Sequence, residues 1–304
     1  MAKLTGNLLK DVEGGLSFSS ALAKYKENFS RIYVQLVRAG EVGGALDVML
    51  NRLATTMEKE KDFRAKTKGA MIYPVIIMIA MVAVVIVMMV AVIPQLTAMY
   101  EDFDAELPAA TKALMSISGF FVNYWWILVI VFGGAYFGIK AWGKTSKGEK
   151  ALAGLYLKIP ILGVLKQKTV LTDFTRTLSL LLSAGVSLLE ALDIVASAID
   201  NAVYRDELKE ASKQVEKGVT LSDAIARYDN FPPILYQMVS VGEETGKLDE
   251  ILSKVSEYFE KESEYAIKNL TAAIEPIIMI VLGLGVGFIV IAIIMPIYSL
   301  TSQF

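Results

Sequence analysis

The sequence predicts an all-α, polytopic membrane protein with three transmembrane helices and two related cytosolic antiparallel helical bundles, the first of them incomplete. Three observations lead there. Three long stretches are free of charge, the chain between them reads as charged amphipathic helix without a strand pattern, and the second half repeats the first. At 304 residues and 54% hydrophobic, the chain is more apolar than a soluble protein of this length.

Composition also removes several function classes. With 30 basic and 32 acidic residues nothing suggests a nucleic-acid surface. Cysteine and histidine are both absent, which excludes disulfides, the usual zinc ligand sets and every Ser-His or Cys-His arrangement. No catalytic residue, metal or cofactor is therefore expected, and the protein is read as other than an enzyme.

The elements follow in chain order. Residues 1–70 form a cytosolic helical unit whose last helix carries the apolar stripe Leu46, Met49, Leu50, Leu53 and Met57. The first span, residues 71–94, has its apolar core at Ile72–Ile93. A periplasmic loop over 95–118 leads to the second span, residues 119–140, which holds Trp125 and Trp126. A cytosolic linker over 141–165 precedes a six-helix bundle over 166–275. That bundle has helices near Thr169–Ser183 and from Ser187, a third closing at Lys217-Gly218, a short one capped at Thr220 and ending near Tyr228, one starting at Pro232-Pro233, and one from about Gly246. Its stripe is Leu248, Ile251, Leu252, Val255 and Phe259. The third span covers 276–298 and a tail covers 299–304. Each span exceeds the roughly 20 residues a helix needs to cross a hydrocarbon core.

Lysine and arginine set the direction. Basic residues gather before the first span (Arg64, Lys66, Lys68), after the second (Lys140, Lys144, Lys147) and before the third (Lys261, Lys268). The loop 95–118 is acidic and the tail uncharged, so the N-terminus is cytosolic and the C-terminus periplasmic.

An internal repeat accounts for this layout. An offset of 202 aligns Phe29–Pro94 with Phe231–Pro296 without a gap, with 20 of 66 positions identical. The densest match lays Gly40, Glu41, Gly44, Leu46 and Asp47 over Gly242, Glu243, Gly246, Leu248 and Asp249. Two copies crossing the membrane in one direction require a return crossing, which the unpaired second span supplies. Only about 14 residues precede Gly15 in the first copy, so it lacks counterparts of about three helices, Thr169 to about Ala202. It reads as N-terminally truncated, and whether it folds alone or with a partner chain is open.

The repeated Gly-Glu-x-x-Gly-x-Leu-Asp element, the Phe231-Pro232-Pro233 before its second copy, and Glu275-Pro276 entering the last span resemble the type II secretion F family. That family comprises PilC-like and GspF-like platform proteins of type IV pili and type II secretion, and the resemblance covers essentially the whole chain. It implies a multi-pass platform of the cell inner membrane that works with a cytosolic hexameric assembly ATPase. Pilins or pseudopilins and other inner-membrane assembly proteins are the further partners it implies. The pilus machine is the preferred reading, with type II secretion as the alternative. A transporter or channel is disfavoured because the spans hold no ionisable group.

Candidate residues fall into three groups. Glu41, Asp47, Glu243 and Asp249 either cap and charge the start of the helix after the glycine stop, or contact a partner, or bind a cation. Gly134 with Gly138, and Gly283 with Gly287, are GxxxG pairs that permit close helix packing within the chain or in a homo-oligomer. Pro74, Glu275 and Pro276 mark the bundle-to-membrane joints as hinges. Gly138 to Thr145 formally matches a P-loop, but no strand precedes it.

Overall fold

The protein's structure, a computed structural model, describes residues 2–94, 109–160 and 162–301. Regular structure among these is helical, with no strand. In order the helices are α1 (Ala2–Glu13), α2 (Phe18–Ala23), α3 (Arg31–Gly43) and α4 (Leu46–Val87), the last followed by a π-helical turn over Met88–Val92. Then come α5 (Ala109–Gly143), α6 (Ser146–Lys158), α7 (Leu162–Ser183), α8 (Leu188–Ala198), α9 (Ala202–Glu216), α10 (Leu221–Ile225), α11 (Pro233–Thr245) and α12 (Leu248–Thr301). Most of the expected loop 95–118, residues 95–108, and the tail 302–304 lie outside the described residues.

The helices gather in two compact units, one of residues 1–67 and 146–267, the other of 68–145 and 268–304. The first unit contains the soluble helices of both repeats. Its core is built from Phe174, Leu178 and Leu181 of α7, Leu192 and Ile194 of α8, Tyr204 and Leu208 of α9, and the α12 stripe Leu252, Val255 and Phe259. Leu36 and Leu53 of the first repeat belong to this same core. Phe231, two residues before α11, meets the rings of Tyr204, Phe174 and Tyr228 edge-on at 5.4, 6.0 and 6.4 Å. A smaller cluster of Leu8, Ala21, Leu22 and Val37 closes the far part of the first repeat. Each such large side chain, moved from water to the interior, contributes about 1.5–3 kcal/mol.

One expectation about this unit changes. The stretch 141–165, read as a linker, is helical over Ser146–Lys158. Leu157 packs on the core, Glu149 accepts an ion pair from Arg205, and Lys150 bonds Asp206 at 2.8 Å. Those partners lie about fifty residues downstream, beyond the reach of a local pattern. Helix α1 closes at Gly15 with φ 91°, as α9 closes at Gly218 with φ 90°, so α1 is the first-repeat counterpart of α9.

The second unit shows the reverse of a soluble core: most of its described large apolar side chains are exposed. Ile79 is 64% exposed, Phe132 71% and Leu284 71%. One helix segment among the described residues, Leu248–Gly287, is long and apolar enough to cross a membrane, and Val75–Ala91 is a shorter apolar helical stretch. Apolar surface of this kind is unfavourable in water and at no disadvantage in lipid, where the helix satisfies its own backbone groups.

Candidate functional site

The Gly-Glu-x-x-Gly-x-Leu-Asp element builds the same corner twice. Its second glycine ends a helix: Gly44 closes α3 with φ 65° and Gly246 closes α11 with φ 69°, a left-handed conformation that glycine adopts without penalty. The next residue folds back in each case, Ala45 N–H to the Gly40 carbonyl at 2.9 Å and Lys247 N–H to the Gly242 carbonyl at 3.0 Å. The first glycine makes room for the incoming helix. A Cβ on Gly40 would stand 3.0 Å from Met49 Cβ, and one on Gly242 would stand 3.0 Å from Leu248 Cα. Leu46 and Leu248 then pack inward, while Asp47 and Asp249 sit in the first turns of α4 and α12, where negative charge suits the helix dipole.

The glutamate of the element does something the sequence reading did not anticipate. Instead of serving the helix that follows, it turns back to one about 22 residues upstream. Glu243 accepts from Leu221 N–H, from Ser222 N–H at 3.1 Å and from Ser222 Oγ at 2.6 Å. Glu41 accepts in the same way from Phe18 N–H, Ser19 N–H at 3.0 Å and Ser19 Oγ. The caps Thr220 and Ser17 take the next N–H, that of Asp223 and Ser20, each at 3.2 Å. Three of the four N–H groups that a helix start leaves without an internal partner are thus satisfied in both α2 and α10. Burial pushes the Glu41 carboxyl up, but the three donors together outweigh it and hold the group below its usual range.

The other singled-out residues stand apart from this corner. Gly134 and Gly138 lie in α5, Gly283 and Gly287 in α12, and no described atom comes within 4 Å of where a Cβ on any of them would stand. Gly138 through Gly143 are helical, so the P-loop match has no loop in which to cradle phosphate. Pro74 lies inside α4, and Glu275 and Pro276 inside α12, without a break in either helix.

A seam of charge along α12 escaped the sequence reading. Arg176 on α7 pairs with Glu260 at 2.7 Å and Lys168 with Glu262 at 3.3 Å, while Lys59 and Lys66 of α4 reach Glu257 and Glu264 at 4.0 and 2.6 Å. A groove of about 830 Å³ opens along it between α4, α7 and α12. Arg52, Lys59 and Lys254 line it together with Asp249, Glu250 and Glu257, a balance of charge that suits a protein segment better than a small anion. Beside Arg176, whose Nη1 is buried without a hydrogen-bond partner, stands Asp173. Burial, and after it the negative charge of Glu60, push the Asp173 carboxyl up to about 6. The one signal in the sequence was the repeated Glu-Lys-Glu, at 58–60 and 260–262, which shows charge placed alike without showing its partners.

Comparison with known proteins gives consistent matches. The family model described as "Type II secretion system (T2SS), protein F" matches residues 1–94 and 174–296. The chain is 40% identical to the type IV pilus assembly protein PilC of Thermus thermophilus, over 95% of this chain and 71% of that protein. It is 38% identical to the type IV pilus assembly protein PilC of Pseudomonas aeruginosa, over 99% of this chain and 80% of that protein. It is 34% identical to the type II secretion system protein F of Xanthomonas campestris pv. campestris, over 99% and 74% of the two chains.

Proposed function

The chain belongs to the type II secretion system protein F family, and on that premise we propose that it is a non-catalytic inner-membrane platform of a type IV pilus assembly machine. The observation that carries the reading is the near full-length similarity to pilus-assembly proteins, at 38 and 40% identity against 34% for the secretion protein. In this reading the chain crosses the membrane three times, through the apolar parts of α4, α5 and α12. The outward apolar side chains of the second unit and the lysine distribution support that topology, with the N-terminus cytosolic and the C-terminus periplasmic.

The platform holds pilin subunits at the bilayer and couples a cytosolic hexameric ATPase to their movement into a fibre. Partner contact falls to the cytosolic unit. The two corner elements keep its helices in register, and Pro74 and Pro276 act as the joints through which its motion reaches the spans. The open glycine pairs at 134/138 and 283/287 serve packing against other chains, including further copies of this one. The experiment that tests the reading is deletion of the gene in its host, scored for surface fibres and for exported proteins. Fibres lost with secretion intact is the expected result. The reverse would assign the chain to type II secretion, and survival of both would overturn the platform reading.

A further inference from the structure

We propose that α6 is an interfacial helix whose outward face rests on the anionic headgroup layer of the membrane; the proposal rests on the membrane reading above. Only Lys144 and Thr145 separate α5 from α6, and their N–H groups bond back to Ala141 and Trp142 at 3.2 and 2.9 Å. The start of α6 is thereby tethered to a helix end that presents Phe137, Ile139 and Trp142 outward, with Lys140 stacked 5.8 Å above the Tyr136 ring.

The two faces of α6 differ sharply. One is engaged: Leu157 packs on the core, Glu149 holds Arg205, and Lys150 holds Asp206. The other carries Lys147, Ala151, Leu155 and Lys158 at intervals of four, four and three residues, all exposed. Leu155 is 62% exposed, and Tyr156 and Ile159 extend the apolar surface beside it. Lys144, Lys147 and Lys158 take part in no ion pair among the described residues. Glu149, the one acidic residue of the helix, is occupied by Arg205. An apolar strip bounded by free lysines has the pattern of a helix lying in the plane of a bilayer, its apolar side chains at the acyl boundary and its ammonium groups among phosphates.

The chain has no cysteine, so single cysteines report unambiguously. Full-length Leu155→Cys, Ile159→Cys, Leu189→Cys and Phe132→Cys proteins would each carry a fluorophore and be reconstituted in phosphatidylglycerol–phosphatidylcholine vesicles containing a spin-labelled quencher lipid. Quenching at 132, 155 and 159 but not at 189 is expected. In the labelled Leu155→Cys protein, combined Lys144→Gln, Lys147→Gln and Lys158→Gln changes lower the contact equilibrium by about fivefold for each lysine removed. Quenching at 132 without quenching at 155 and 159 would overturn the proposal while leaving the membrane reading intact, and a protein partner would then be what covers α6. Equal quenching at 189 would overturn it as well, because the lipid contact would not be particular to α6. No quenching at 132 would sink the membrane reading itself.

Discussion

The two repeats share a corner and differ in what covers them. In the second, Phe259 on the α12 stripe is fully buried, with Lys168 of α7 lying 5.5 Å over its ring. Met57, at the same place in the first, is 54% exposed. Six residues further from the glycine stop the contrast does not simply continue: at the next aligned aromatic pair, Phe63 is buried and Tyr265 is 62% exposed. The local geometry of the element was copied with the sequence, down to the glutamate clamp on a helix start. The cover was not, because α7 and α8 serve the second repeat as its own core, to which the first repeat adds Leu36 and Leu53. A periodic apolar stripe records that a face needs cover without recording from where.

The largest expected break of this comparison is at the covered position. Phe259→Ala should cost about 3–5 kcal/mol, and Met57→Ala should stay within about 0.5 kcal/mol, read as denaturant midpoints of the purified protein in detergent. Similar losses at both would mean that Met57 is covered in solution.

The first glycine sharpens the comparison from the other side, since here the repeats should behave alike. Gly40→Ala and Gly242→Ala each drive a methyl into the facing helix and should each cost about 2 kcal/mol. A harmless change in one repeat only would show that its helices separate at no cost.

The seam supplies a test with a pH axis. Asp173 gives up its proton near 3.8 when unfolded and at about 6 when folded, so folding favours the protonated acid. Its contribution is complete below about pH 4 and is lost as pH rises through 6. Asp173→Asn should therefore stabilise the protein at pH 7 by about 1–2 kcal/mol and by nothing near pH 4. An equal gain at both pH values would sink this account.

The smallest effect is at the clamp. Glu41→Gln and Glu243→Gln keep one acceptor oxygen and should each cost about 1 kcal/mol at neutral pH. The folded Glu41 carboxyl titrates below its usual range, so its contribution is present above the ordinary carboxylate value and disappears as pH falls through the lowered one. The gap between wild type and Glu41→Gln should close in acid, as thermal melts across that range would show.

What the sequence determined by itself is what acts over a turn or two of chain. The helix starts at Ser187, Thr220 and Pro233, the left-handed glycines 44 and 246, the two stripes and the apolar stretches all depend on neighbours within a few residues, and all were legible. So was the duplication, because copied residues keep their spacing. The tertiary structure alone decided the rest. It turned Glu41 and Glu243 toward helix starts 22 residues upstream, joined Arg176 to Glu260 across 84 residues, and merged the cores of two repeats at Leu36 and Leu53. It also made a helix of the stretch read as a linker, where Leu157 and the Glu149 and Lys150 ion pairs hold α6 to distant elements. Helical periodicity specifies which side of a helix is apolar, and the partner on that side is chosen by chain closure and packing volume, which no local spacing contains.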